Sequence, residues 1–257
     1  YGDPPIGQGD VLVAVSQSGE TADTLEAVRL AKARGAFVIA VTNVEQSTLA
    51  RLADLPLRTL AGAEVAVAAT KSYNCQLLAL FYLAAQTVFY KRACIPSWFA
   101  ALGAAADACA GALEGAAAAE TLAARLQSAR ALYFIGRGTD RFTAAEGALK
   151  VREIAYVFAE SCPAGELKHG TLALVEEGFP VIAVATGRAL LQKTANSLAE
   201  AKARGAFTVL FSQYADAAGG ADVVCPLPAL PEPLMPLVSV IPLQQFACRM
   251  CLLRGFD

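Results

Sequence analysis

A seven-residue segment occurs twice in this chain of 257 residues, and the repeat around it constrains the fold class. Residues 31–37 recur letter for letter as residues 201–207. Each copy lies in a helix-like stretch that ends at Gly, with a short run rich in apolar residues on either side. Such runs, without alternation, are typical of strands covered on both faces of a parallel sheet. Two β-α-β units of this kind predict two doubly wound α/β modules.

We expect the modules to be three-layer αβα structures of the flavodoxin-like type, arranged in tandem. The second copy has an extra strand at residues 132–136 and a helix at 143–158 ahead of it. The first copy has no counterpart, so we expect it to lack its opening β-α unit of roughly forty residues. The predicted domains are residues 1–119, which include connecting helices, and residues 120–257. We expect the chain to be truncated at both ends.

The composition limits the classes of partner. The formal net charge is −2, 17% of the residues are charged, and no block of basic residues occurs. We therefore expect neither nucleic acid nor a membrane as a partner. The longest apolar run, residues 77–90, is shorter than the roughly 20 residues that a membrane-spanning helix needs.

The cysteines indicate the compartment. Their number, seven, is odd and their spacing is irregular, which indicates free thiols in a reducing, cytoplasmic environment. Cys248 and Cys251 form an isolated C-x-x-C pair in an apolar, helix-like stretch. We expect these two to be core thiols rather than metal ligands.

A polar turn lies between the strand at residues 11–15 and the helix predicted at 24–34. Its residues are Ser16, Gln17, Ser18, Gly19, Glu20 and Thr21. Open α/β sheets bind ligands at this position, where the following helix adds free N–H groups and a positive dipole end. Three hydroxyls, an amide and a glycine suit a phosphate group. The alternative is ordinary helix capping by Ser or Thr.

Two other turns are weaker candidates. Residues 186–191, at the same place in the second copy, lack the hydroxyl cluster, so we expect only one phosphate loop of this kind. Gly136, Arg137 and Gly138 resemble part of a dinucleotide-binding turn. Position 141 is Arg rather than Gly, so the full pattern fails and we expect no nucleotide cofactor.

Glu146, Lys150 and Glu153 are the candidate acid–base residues. Their spacing of i, i+4 and i+7 places all three on one face of a helix. A solvated ion-paired face is the alternative, but the rest of the helix is rich in Ala, Leu and Val, which indicates burial and a pKa tuned for proton transfer. His169, the only histidine of the chain, lies in a polar, glycine-flanked segment that also suits a site.

These segments together resemble one known family. Residues 16–24 are similar to the phosphate loop in the sugar isomerase (SIS) domains of glucosamine-6-phosphate synthases. Residues 146–154 resemble the catalytic helix of that family, residues 164–170 resemble its histidine loop, and residues 236–244 resemble the start of its late helix. The similarity extends along nearly the whole chain.

The resemblance implies an aldose–ketose isomerase that acts on a hexose 6-phosphate without a metal or an organic cofactor. Ser16, Gln17, Ser18 and Thr21 would hold the phosphate, while Val67 and Glu146 would lie beside the substrate. Glu153 would move a proton between C1 and C2, Lys150 would lie near the sugar oxygens, and His169 would assist ring opening. It also implies a glutaminase domain in the full-length chain, and a homodimer in which His169 reaches the neighbouring subunit.

Some features of the family differ here. Ala69 stands where Ser is usual, although Thr70 and Lys71 match. The family's opening loop, its C-terminal lysine tail and its glutaminase domain have no counterpart in these 257 residues, so we expect this chain alone to be inactive. The alternatives are a stand-alone sugar-phosphate deaminase or deglycase, and a sensor of sugar phosphates without catalysis.

Overall fold

The computed structural model of the chain describes residues 2–92, 96–214 and 219–256, with side chains outside 89–100. The chain divides into two compact units, Tyr1–Ile95 and Pro96–Asp257. This division assigns residues 96–119 to the second unit, so the module boundary expected after residue 119 stays a prediction.

The first unit is a parallel sheet with helices. Its elements are β1 (Val11–Ser16), α1 (Ala22–Ala33), β2 (Phe37–Thr42), α2 (Thr48–Leu52), β3 (Leu55–Arg58) and α3 (Lys71–Arg92). The strands pair in the order β1-β2-β3, with Val11 beside Phe37 and Ile39 beside Leu55. The helices that connect parallel strands of this kind bury their apolar residues against the sheet.

One face of this sheet forms the core of the first unit. Apolar residues of β1 and β2 pack there against α1 and α2, and they include Ala14, Leu25, Val28, Ala31, Val38, Ala40 and Leu49. On the other face of β1, Val11, Val13 and Val15 are 57%, 38% and 38% exposed. Within the described residues, β1 is therefore covered on one face, and the expectation that this strand is covered on both faces was wrong.

The second unit is larger and has a five-stranded parallel sheet. It begins with α4 (Pro96–Glu114) and α5 (Ala116–Leu126), followed by β4 (Ala131–Gly136), α6 (Asp140–Lys150), a π-helical turn (Val151–Ala155) and β5 (Phe158–Pro163). A 3-10 turn (Thr171–Leu174) leads to β6 (Pro180–Val184), α7 (Arg188–Lys202), β7 (Phe207–Ser212), β8 (Val223–Pro226), a 3-10 turn (Glu232–Leu234) and α8 (Met235–Leu253). The strand order is β5-β4-β6-β7-β8.

Helices cover both faces of this second sheet. Ile135 and Ala183 belong to a buried cluster that includes Leu191 and Leu198 of α7. On the opposite face, Phe134 lies against α6 and α8: a side chain added at Gly147 would come within 3.1 Å of Phe134 and 2.8 Å of Leu243. The predicted three-layer α/β architecture is therefore confirmed for this unit.

The repeat predicted from sequence is present in the structure. Strands β1, β2 and β3 correspond to β6, β7 and β8, and β2 and β7 are 170 residues apart. The strands β4 and β5 have no counterpart within the described part of the first unit. That the first module lacks an opening unit stays a prediction.

Two local predictions were wrong, and one strand was missed. The helix expected at 143–158 ends at Ala155, and Phe158 already begins β5, a strand that the sequence did not indicate. Cys248 is exposed and Cys251 is only partly buried, so they are not core thiols. The other four described cysteines are also free; Cys94 lies outside the described residues.

The apolar helix α8 is the central helix of the second unit. Residues Glu232–Leu253 are long and apolar enough to cross a membrane by length and composition, but half of that window is buried inside the protein. Helix α8 packs against α4, α5, α6 and the π-helical turn. The core helix of a protein that does not cross a membrane passes the same test of length and composition. That the protein has no membrane partner stays a prediction.

Candidate active site

The three hydroxyls of the predicted phosphate loop lie at the end of β1, and each contacts another group of the loop. Ser16 Oγ lies 3.0 Å from Thr21 Oγ1 and accepts a hydrogen bond from the backbone N–H of Gly19 at 3.1 Å. Ser18 Oγ accepts from the backbone N–H of Glu20 at 3.2 Å. A hydroxyl that accepts a hydrogen bond keeps its own proton to donate. The loop therefore gathers donors at one turn, as a phosphate site requires.

Contacts with β2 and α2 fix the conformation of this loop. The carbonyl oxygen of Gln17 accepts from the backbone N–H of Asn43 at 3.1 Å. Gly19 has a φ of +68°, and a Cβ at this position would lie 2.2 Å from Ser47 Oγ. Only glycine fits a backbone that is both left-handed and this close to a neighbour. Glu20 accepts from the N–H of Thr48 at 2.7 Å, and this bond lowers the pKa of its carboxyl.

The helix-capping alternative has less support. Thr21 occupies the N-cap position of α1, but its side chain makes no capping hydrogen bond. Its hydroxyl contacts Ser16 instead. An N-cap threonine normally stabilises its helix by accepting from the first turn. The loop hydroxyls are thus arranged around the turn rather than used to begin the helix.

In the second unit, carboxylates fill the corresponding loop. Asp140 accepts from the backbone N–H of Thr186 at 2.8 Å and from its hydroxyl at 2.5 Å. Glu232 accepts from the backbone N–H of Arg188 at 2.6 Å. Burial raises the pKa of Asp140 despite the hydrogen bonds from Thr186, which act in the opposite direction. Since the donors already have anionic partners, this loop has no room for a phosphate, and no sequence pattern indicated these partners.

The three candidate acid–base residues meet around one ammonium group. Lys150 Nζ lies 2.7 Å from Glu153 Oε2 and 3.3 Å from Glu146 Oε1. The side chains of Lys150, Glu146 and Glu153 are 4%, 11% and 28% exposed, in that order. The solvated-face alternative is therefore wrong. Glu153 is the member that remains open to solvent.

Two carboxylates and one ammonium leave this acid–base cluster with an excess of negative charge. Burial raises the pKa of Glu146, the neighbouring Lys150 lowers it, and Glu153 raises it further. The net direction is upward because desolvation disfavours the charged carboxylate. The cluster therefore combines an ion-paired carboxylate at its open end with a more buried carboxyl whose pKa is raised.

A π-helical turn closes the cluster. Residues Val151–Ala155 continue α6 with wider hydrogen bonding, and Tyr156 ends the turn with a φ of +52°. Single π-helical turns within α-helices occur frequently at functional sites. The turn brings Glu153 onto Lys150 at a spacing of three residues. No sequence pattern indicated it.

His169 lies apart from this acid–base cluster, in a loop of the same unit. Its Nδ1 is 2.7 Å from Glu166 Oε2, and the imidazole is 69% exposed. The fully buried Leu167 anchors the loop, and Lys168 pairs with Glu200 at 2.7 Å. Within the described residues, His169 pairs with Glu166 and with no member of the acid–base cluster.

Val67 lies in an exposed segment of the first unit and is 93% exposed. The neighbouring Glu64, which the sequence analysis missed, accepts from the backbone N–H of Ser72 at 2.9 Å and so holds the start of α3. Burial raises the pKa of Glu64, but the hydrogen bonds from Ser72 and Thr70 outweigh it and lower the pKa overall. Glu64 thereby fixes the segment that carries Val67, Ala69 and Lys71.

The described residues contain no group of three or more His, Cys, Asp or Glu side chains that could hold a metal ion. Most of the candidate residues form two sets: the loop after β1 in the first unit, and the acid–base cluster in the second unit. The loop after β1 offers donors for an anion, and the acid–base cluster offers carboxylates and an ammonium for proton transfer.

Residues 1–86 and 125–254 match the SIS domain family. The chain is 42% identical over 251 residues to the glutamine–fructose-6-phosphate aminotransferase [isomerizing] of Thermococcus kodakarensis, and covers 42% of that protein. It is 43% identical over 263 residues to the protein of the same name from Symbiobacterium thermophilum, and covers 43% of that protein. The chain thus spans less than half the length of these relatives.

A solved structure is similar over the whole chain. It is the C-terminal domain of glucosamine-fructose-6-phosphate aminotransferase from Francisella tularensis, with a TM-score of 0.95 and 35% identity. The match covers 100% of this chain and 75% of that domain. The predicted α/β fold of the sugar isomerase type is confirmed.

Proposed function

Because the chain belongs to the SIS domain family, we propose that it is the isomerase part of a glutamine–fructose-6-phosphate aminotransferase. The substrate is fructose 6-phosphate, and the second substrate is ammonia released from glutamine by a glutaminase domain of the full-length chain. The product is glucosamine 6-phosphate. The relatives' names, the matched length and the acid–base cluster support this assignment.

The proposed chemistry has two stages, imine formation and proton transfer between C1 and C2. Ammonia condenses with the C2 carbonyl of the open-chain sugar, and water leaves to give an imine. A base then removes a proton from C1, and the imine nitrogen takes up a proton, which gives an enaminol. The C1 hydroxyl next loses its proton while C2 gains one. This yields an aldehyde at C1 and an amine at C2. The imine acidifies the C1 proton. The oxidation of C1 from alcohol to aldehyde is matched by the reduction of C2 from imine to amine, so the step needs no redox partner.

The exposure of the Glu153 side chain is the main observation that supports the proposal. It is the most open member of the cluster, so a substrate can reach it, and its Oε2 lies 2.7 Å from Lys150 Nζ. Lys150 would also contact a sugar oxygen, and Glu146 would hydrogen-bond the substrate from the buried end.

The loop after β1 would bind the 6-phosphate through Ser16, Gln17, Ser18 and Thr21. A phosphate accepts hydrogen bonds from hydroxyls and from the N–H groups of a helix N-terminus. Val67 would lie beside the sugar. His169, which is exposed and oriented by Glu166, would assist ring opening in the neighbouring subunit of a homodimer.

We also place the protein in the cytoplasm, since the described cysteines are free and free thiols are typical of reducing compartments. The activity is tested with the gene product that carries this chain together with its flanking sequence. We expect it to form glucosamine 6-phosphate from fructose 6-phosphate and glutamine. Release of ammonia from glucosamine 6-phosphate without synthesis would favour the deaminase alternative, and binding without turnover would favour the sensor; either result overturns the proposal.

A further inference from the structure

The second unit contains a crevice that the proposed reaction does not use. Its volume is about 560 Å³, and the turn after β4, the end of β5 and the first turns of α6 and α7 form its walls. Strand β4 pairs with both β5 and β6, so the strand order reverses here. Ligands of doubly wound sheets bind at the carboxyl ends of the strands, at such a reversal.

Basic side chains dominate the crevice. Arg137, Arg141 and Lys193 line it, and the one carboxylate among the lining residues is Glu166. Glu166 is already paired with His169 at 2.7 Å. The charge of the crevice is therefore positive, which favours an anionic ligand.

A hydrogen bond and a close backbone contact hold the Arg137 guanidinium in position. Its Nη2 donates to Ser197 Oγ at 3.1 Å, and that hydroxyl donates to the carbonyl oxygen of Ala164 at 2.9 Å. The guanidinium lies against Gly165, where an added Cβ would be 3.0 Å from Nη1. Its Nε is buried and has no hydrogen-bond partner among the described residues. A guanidinium fixed in this way loses little freedom when it binds an anion.

Glycines shape the turn after β4 at the edge of the crevice. A Cβ at Gly136 would lie 2.6 Å from the backbone of Asp140, and Gly138 has a φ of +58°. The turn therefore leads directly into the start of α6, whose N-terminus favours negative charge. Phe142 and Leu190 provide an apolar side, and the Arg141 guanidinium lies 4.4 Å from the centre of the Phe142 ring.

We propose that this crevice is a second binding site, separate from the loop after β1, for a phosphorylated small molecule. Arg137, Arg141 and Lys193 hold the phosphate, and Phe142 contacts the carbon part. The volume lies within the range of small-molecule sites. An occupant would touch Gly165 and Glu166, which belong to the loop of His169.

The test is an NMR titration of the chain with inorganic phosphate and with glucose 6-phosphate, at constant ionic strength. The amide signals of Gly136 and Gly138 report on the crevice. We expect both probes to shift these signals saturably, with glucose 6-phosphate binding more tightly than phosphate. Arg141→Ala/Lys193→Ala removes two charged contacts and should weaken both by roughly tenfold or more.

The matched control is Arg130→Ala/Arg204→Ala, which removes the same charge at the other end of the sheet, where both side chains are exposed. In this control the amide signals of Gly136 and Gly138 should titrate as they do in the wild type. They should do so in Ser18→Ala as well, because that variant alters only the loop after β1. Equal melting temperatures check the folding of each variant. The absence of a saturable shift, or equal weakening by both double variants, overturns the proposal.

Discussion

Lys150 Nζ lies 2.7 Å from Glu153 Oε2, and the lysine side chain is only 4% exposed. The pair is an ion pair whose ammonium also faces Glu146 at 3.3 Å. Removing the ammonium would leave two carboxylates close together in a buried environment. Both the stability of the second unit and the proposed proton transfer therefore depend on this one lysine.

Lys150→Met should lower the free energy of unfolding by roughly 3 kcal/mol at neutral pH, because it leaves buried carboxylates without a cation. The loss should shrink as the pH falls, since protonation relieves the repulsion. Urea denaturation of the chain at several pH values measures both effects. Lys168→Met, at an exposed ion pair with Glu200, is the matched control and should change stability by less than about 1 kcal/mol.

The sequence predicted the features that depend on local pattern. The apolar runs located β1, β2, β6 and β7, and helical spacing brought Glu146, Lys150 and Glu153 together as expected. Strand β5 was missed because the segment Phe158–Pro163 mixes apolar and polar residues and ends in proline. Its place depends on pairing with β4 rather than on its own sequence.

Contacts between distant residues escaped prediction. Asp140 reaches the backbone of Thr186 from 46 positions away, and Glu232 reaches Arg188 from 44 positions away. No local pattern distinguishes these carboxylates from solvated ones. The π-helical turn at Val151–Ala155 is also without a sequence signal, since its residues suit an ordinary helix.

Glu146→Gln should change how stability depends on pH. The raised pKa of Glu146 means that the folded state binds its proton more tightly than the unfolded state does. Glu146 therefore contributes its full stabilisation at pH values below its pKa in the unfolded state. That stabilisation is lost as the pH rises through its pKa in the folded state. The variant removes that loss, so its stability should gain on that of the wild type as the pH rises between those two values.

The measurement is a series of denaturation curves from acidic to neutral pH for both proteins. Glu114→Gln, an exposed carboxyl on α4, serves as the control and should show no such trend. A difference between wild type and Glu146→Gln that stays flat, or that slopes the other way, would contradict a raised pKa at this position.

Gly19→Ala should damage the phosphate loop. The added methyl group would lie 2.2 Å from Ser47 Oγ, and the backbone is left-handed at this residue. We expect phosphate binding through the loop amides to weaken by at least about tenfold, because the turn must open to fit the side chain. Titration of the chain with phosphate, followed through the amide signals of Ser18 and Thr21, measures this loss.

Gly62→Ala is the control for that experiment. Gly62 also has a positive φ, of +74°, but an added Cβ would meet no atom within 4 Å. This variant introduces backbone strain without steric overlap, and it should leave phosphate binding unchanged. Equal weakening by both variants would mean that the close approach of Gly19 to Ser47 is not what shapes the site.

Transfer of a proton between C1 and C2 by Glu153 is the central claim, and solvent isotope exchange tests it most directly. The gene product that includes the flanking sequence is incubated with a hexose 6-phosphate in D2O, and NMR follows deuterium at C1 and C2. We predict exchange by the wild type and a loss of roughly 10²- to 10⁴-fold in Glu153→Gln. Glu160→Gln, at an exposed position of β5, should exchange normally. Exchange that proceeds at the wild-type rate in Glu153→Gln would contradict the account.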